Sequence, residues 1–242
     1  LALVVLTCTW GYTWVLLKQA LVHAPPFALA TQRCVGGALA LLVAVKLMGK
    51  SMRLVAPGET LVLGLVQITG FVVLQTWALV EGGSGKTAVL IFTMPIWTLL
   101  MAWPILGERV RGRQWLAAGS TLAGLLLIIA PWDMHASLFS KLLGLGAAMC
   151  WAISTILIKR LRSRQPVDLL VLTTWQMIIG TVPLVGLALL VPERATDWSP
   201  DYLVLIGFLT FGVTMFYERR QANLTPFFFW HPWVYLLLVP AA

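Results

Sequence analysis

The amino-acid sequence predicts an all-α integral membrane protein, a polytopic helical bundle, and three observations carry that prediction. Of 242 residues, 60% are hydrophobic and only 11% charged, whereas soluble domains carry about 25% charged residues. So few charges cannot solvate a globular surface, which leaves lipid as the solvent for most of the chain. The apolar residues fall in successive runs of about 20, the length that crosses a hydrocarbon core. The charges gather in short connections, none long enough for a soluble domain.

Spans read at 2–21, 27–48, 60–80, 87–106, 114–132, 138–158, 168–191 and 201–217, with a shorter apolar run at 224–240. Between them lie "KSMR" (50–53), "GERVRGR" (107–113), "KRLRSRQ" (159–165), "PERATDW" (192–198) and "ERR" (218–220). The net charge is +8. In a soluble chain that excess suggests nucleic acid; in a membrane chain it marks cytoplasmic loops. Even-numbered connections and their flanks hold twelve Lys and Arg, odd-numbered ones only Lys18, Lys86, Lys141 and Arg194. This asymmetry predicts a cytoplasmic N-terminus and cytoplasmic even loops.

In the first span, Trp10, Trp14 and Lys18 stand at i, i+4 and i+8 on one helix face. They read as an aromatic-lined path ending in a cation, or as an interfacial aromatic with a snorkelling lysine. The second span carries Gln32 and Arg33 about a third of the way in. An intramembrane charge normally faces the bundle interior or a water-filled cavity; the competing reading is that Arg33 snorkels outward. In the third span, Gly64, Gln67, Phe71 and Gln75 share a face. Buried amides need partners, so that face turns inward, as interhelical glue or as substrate contact.

The stretch "VEGGSGKTAVLIF" (80–92) carries Gly85-Lys86-Thr87, the tail of a phosphate-binding loop. Val80 stands where the first loop glycine is needed, and no strand precedes it. It reads as an outward hairpin, with Thr87 opening the fourth span at or near its N-cap. Within that span Thr93-Met94-Pro95 interrupts the backbone ladder, which a cavity or a plain kink accommodates. Gly36/Ala40/Ala44, Ser120/Gly124 and Gly144/Ala148 are small-xxx-small packing patterns.

Three cysteines lie inside apolar runs, and histidines 23, 135 and 231 are scattered without metal-site spacing. No Ser-His-Asp set, HExxH motif or cofactor signature appears, so neither enzyme chemistry nor a cofactor is expected. Glu193, Asp197 and Asp201 form the only acidic group, and a membrane enzyme acting on a lipid-linked substrate is the alternative that would need them.

The chain also repeats itself. Trp10 and Lys18 recur as Trp151 and Lys159 at an offset of 141; Gln32 and Gly36 recur as Gln176 and Gly180 at 144. Five helices per copy would make the copies inverted, an architecture that places the site at mid-membrane between them.

These segments together resemble a known family. "WGYTWVLLKQAL" followed by "PPFALATQRCVGGALALL" resembles the opening helix pair of the EamA-type drug/metabolite transporter superfamily. The stretch from Lys86 through "TMPIWTLLMAWPILGERVRGRQW" is similar to its end-of-repeat signature, and "AAMCWAISTILIKRL" to the restart of a second repeat. The resemblance covers roughly 2–214. It implies two inverted five-helix repeats and a secondary carrier of small metabolites or drugs, often outward, across the cytoplasmic membrane by alternating access. Carried over by position, the path would be lined by Trp10, Trp14, Arg33, Pro95 and Trp151, and the residue readings above add Lys18, Gln67, Gln75 and Gln176. The copies are expected at 1–132 and 138–217. Expected partners are the lipid bilayer and a small-molecule substrate, with a coupling ion and a homodimer admitted and no nucleic acid. After Thr214 the match lapses: residues 218–242 carry no second Gly-Glu-Arg, so the sequence reads as a carrier short of about two helices or a non-functional remnant.

Overall fold

The computed structural model describes residues 2–107 and 138–212, with 112, 115, 116, 119, 120 and 122–124 between them; the side chains of residues 2–10, 211 and 212 lie outside that description. The predicted span at 114–132 falls largely outside the described residues, as does the tail 218–242. No strand occurs among the described residues, and five of their helices are long and apolar enough to cross a membrane.

Helix α1 covers Ala2–His23 and α2 Pro26–Leu47. Pro26 occupies the first turn of α2, where a missing N–H costs nothing. Helix α3 runs over Pro57–Glu81 and passes through a π-helical segment at Gly64–Gly70. It starts three residues before the expected 60, because Pro57 and Glu59 supply a first-turn proline and an anion at the helix dipole. Helix α4, Ser84–Leu106, breaks at Phe92 and Thr93 ahead of Pro95. There the Thr93 hydroxyl donates to the Leu90 carbonyl (2.6 Å) and accepts from Trp97 Nε1 (3.2 Å), so side chains take over from the interrupted ladder.

Helix α5, Leu138–Arg164, runs six residues past the expected end at 158. The "KRLRSR" stretch read as a connection is helical, since Lys and Arg are good helix formers whose charge favours a C-terminus. Helix α6 is Leu169–Leu190, capped by Asp168, which accepts from Leu170 N (3.0 Å) and Val171 N (3.3 Å). Helix α7 begins at Pro200–Gly207 and continues as π-helical turns over Phe208–Gly212.

The close crossings fall where the sequence repeats. Gly180 of α6 lies against Gly64 and Ile68, in the π-helical part of α3; Gly36 of α2 lies against Thr210, in the π-helical part of α7. The two π segments begin at Gly64 and Phe208, again 144 apart. Each of the two matched glycines therefore seats a π segment from the other half of the chain, a correspondence that four matched residues alone do not reveal.

Candidate functional site

The Gly82 and Gly83 turn brings α3 and α4 together, and groups from three helices close the end of α3. Ala78 O accepts from Ser140 Oγ (2.8 Å), Thr87 Oγ1 (3.3 Å) and Gly82 N (2.9 Å). A Cβ on Gly82 would lie 2.6 Å from the Ala78 carbonyl oxygen, a backbone atom that cannot swing aside, so only glycine fits. Gly83 is the N-cap of α4, not Thr87 as the sequence suggested: Gly85, Lys86 and Thr87 are already helical, and the Thr87 hydroxyl is drawn inward to α3. No strand precedes this segment, so it lacks the frame of a phosphate-binding loop.

Lys18 belongs to the same end. Its ammonium donates to the carbonyls of Leu79, Val80 (3.0 Å) and Gly82 (3.1 Å), which caps α3 with a cation at its negative pole. In this geometry the three N–H groups of the Lys18 ammonium are engaged by three carbonyls at the helix end.

The α6–α7 connection works in the same way on the α1–α2 hairpin. Glu193 accepts from Phe27 N (3.1 Å) and Ala28 N (3.0 Å), capping α2; Arg194 donates to Leu21 O (2.9 Å) and Val22 O (2.6 Å), capping α1. Asp197 pairs with His23 (3.0 Å), and that hydrogen bond holds its carboxyl below the ordinary carboxylate range. Two of the three acids that an enzyme reading would need are thus engaged as helix and loop ties. Beside them, Lys18, Pro25, Trp77, Pro192, Glu193 and Arg194 help to line an open recess of about 570 Å³.

The membrane interior holds a different set. Trp14 is 5% exposed and meets Phe92 edge-on, with centroids 5.8 Å apart. Trp151 meets Phe71 at 4.8 Å. Phe71, which meets Trp151, also packs against the cluster around Trp14 and the one around Cys34. The Trp10 side chain lies outside the described residues. Gln75 is buried on α3, and Pro95 sits just past the α4 break, half-buried. Gln67 Oε1 on α3, Gln176 Nε2 on α6 and Arg33 Nε and Nη1 on α2 are sealed from solvent with no hydrogen-bond partner. Arg33 is half-buried as a residue, but its Nε and Nη1 are sealed within the bundle, in electrostatic reach of Tyr202, rather than carried out to solvent by snorkelling.

Its neighbour Gln32 has a structural task. Gln32 Oε1 accepts from the Tyr202 hydroxyl and Nε2 donates to Thr196 (3.2 Å), tying α2 to α7 and its connection. Tyr202 is the residue that sequence reasoning missed as a neighbour of Gln32 and Arg33. The available signal was a lone hydroxyl aromatic beside Asp201 in an apolar run, and it does not say which helix it will face.

Helices, buried orphan polar atoms and charged helix-end ties together define a multi-pass membrane protein with polar groups set into a mainly apolar interior. The profile of the EamA-like transporter family matches residues 1–130 and 138–226, past the Thr214 where the quoted resemblance lapses. The chain belongs to that family, and it is a membrane transporter of the drug/metabolite type. It is 30% identical to the uncharacterized transporter YvbV of Bacillus subtilis (strain 168), over 87% of this chain and 69% of that one. It is 26% identical to YoaV of the same organism (88% and 76%), and 28% identical to a riboflavin transporter of Rhizobium johnstonii over 57% of this chain and 46% of that one. A solved crystal structure superposes with a TM-score of 0.64 at 18% identity, covering 88% of this chain and 76% of its own, and shares the fold.

Proposed function

We propose that this chain carries small metabolites or drugs across the cytoplasmic membrane by alternating access, with its N-terminus in the cytoplasm. The site lies at mid-membrane between two repeats, 1–132 and 138–217, and an ion or substrate gradient drives it. One observation carries the reading: sealed, unpartnered polar atoms stand in spanning helices of both copies, Arg33 and Gln67 in one and Gln176 in the other. Orphan polar groups in a spanning bundle are expensive and mark substrate pathways. Trp14, Phe71 and Trp151 supply apolar walls, and the paired π segments are helix stretches of the rare kind often found at functional sites.

The test is counterflow in proteoliposomes with a panel of labelled metabolites and drugs, riboflavin included. Wild-type protein should carry at least one member, and Arg33→Ala should cut that flux while insertion stays intact. Flux unchanged by Arg33→Ala would remove Arg33 from the path, and no flux of any solute would sink the carrier assignment.

A further inference from the structure

Arg33 is the eighth residue of α2, about 10 Å along its axis from the helix start. Nε and Nη1 are sealed and unpaired there. Among the described residues nothing anionic balances it. Glu193 is held by the α2 N-terminus, Asp197 by His23, and Asp168 by Lys50 and the start of α6. Glu59 and Asp201 lie in the first turns of α3 and α7, and Glu81 is the last residue of α3, all at helix ends. A guanidinium cannot shed its proton to escape burial, and removing an ion from water costs several kcal/mol unless a counter-charge meets it.

The charge arithmetic limits what that counter-charge can be. One fixed cation without an acid is neutralised by a monoanion, while a dianion would leave one unit of charge in the hydrocarbon layer. Planar guanidinium donors suit a planar oxyanion, and charge-assisted bonds of this kind are about twice as strong as neutral ones. The surroundings specify the rest of the molecule. Phe71 packs against the cluster that holds Cys34, the chain neighbour of Arg33, and against the cluster that holds Trp14, and it meets Trp151. The orphan acceptor Gln67 Oε1 and donor Gln176 Nε2 are buried on α3 and α6.

We propose that Arg33 binds the head group of a monoanionic, carboxylate-bearing substrate whose body is apolar and aromatic. This rests on the carrier reading above and narrows its substrate class.

The experiment compares matched pairs differing only in charge: phenylacetate with phenylacetamide, benzoate with benzamide, and indole-3-acetate with indole-3-acetamide. Binding to the purified full chain in detergent is read by calorimetric titration, and counterflow of the same compounds in proteoliposomes. At least one carboxylate should bind saturably and about ten-fold or more tighter than its amide. Arg33→Gln should erase that preference and Arg33→Lys should keep part of it. Carboxylates and amides that bind alike, carboxylates that all fail to bind, or a preference surviving Arg33→Gln would overturn the proposal. The wild-type comparison stands even where a variant fails to insert. Flux of riboflavin, uncharged at neutral pH, with no flux of any carboxylate would overturn the anion assignment while leaving the carrier reading in place.

Discussion

The crossing of α3 and α6 at Gly64 and Gly180 allows the sharpest test of the packing. A Cβ added at Gly180 would lie 2.4 Å from the Gly64 carbonyl oxygen and 2.4 Å from Ile68 Cβ, against a practical minimum of 3.0 Å. The helices must therefore part by about 0.6 Å, the difference between those figures. The obstruction is backbone, which cannot rotate away as a side-chain tip would. The same shift strains the bond from Thr69 Oγ1 to Gly180 O (2.7 Å). Overpacking of a fitted contact costs about 1–3 kcal/mol, and a backbone clash belongs at the upper end. Gly180→Ala should thus lower the thermal midpoint of the purified protein by about 4–12 °C, at about 2–4 °C per kcal/mol for a chain of this size. Gly186, on the same helix, has nothing within 4 Å of its would-be Cβ. Gly186→Ala should raise the midpoint slightly, because alanine is favoured over glycine within a helix by about 1 kcal/mol. A Gly180→Ala protein as stable as Gly186→Ala would refute the close-crossing account of the repeated glycine.

Two further predictions concern the connections. Glu193→Ala removes the carboxylate from two N–H groups at the start of α2. It should cost about 1 kcal/mol, read as a fall of a few degrees in the melt, with Glu193→Gln losing less because it keeps an acceptor. For Asp168, burial pushes the carboxyl upward, but Lys50 at 2.5 Å and the N–H groups of Val171 and Leu170 outweigh it and hold it below the ordinary range. A depressed carboxyl contributes stability above its unfolded pKa of about 4, and that contribution fades as pH falls through the lower folded value. Lys50→Met should therefore destabilise at neutral pH by less than about 1 kcal/mol, since the pair is partly exposed, and the gap from wild type should close in melts below pH 4.

Much of the scaffold could be read from residue order. Apolar run length placed α2, α3, α4 and α6 within about three residues, and the Gly-Lys-Thr was recognised as no phosphate loop from a single valine and the missing strand. The misreadings cluster at helix ends. "KRLRSR" counted as loop because charge suggested solvent, yet those residues favour helix and α5 runs through them to Arg164. Thr87 looked like a cap because its hydroxyl suits one, but Ala78 on α3 takes that hydroxyl instead.

The site divided in the same manner. Arg33 stood out as a charge inside a span, and Gln67 and Gln176 as amides in apolar helices, since composition marks such anomalies without knowledge of packing. What each polar group does depended on what lay opposite. Lys18 and Arg33 are both cations within spanning segments. Lys18 meets the carbonyls of α3, some sixty residues away in sequence, while Arg33 Nε and Nη1 meet no acceptor. Sequence by itself determined where lipid must be the solvent and which side chains are out of place in it, because transfer free energy is a property of each residue and its run. Only the tertiary structure decided which of those side chains are satisfied, because hydrogen-bond partners and Cβ clearances arise between segments that the chain order leaves far apart.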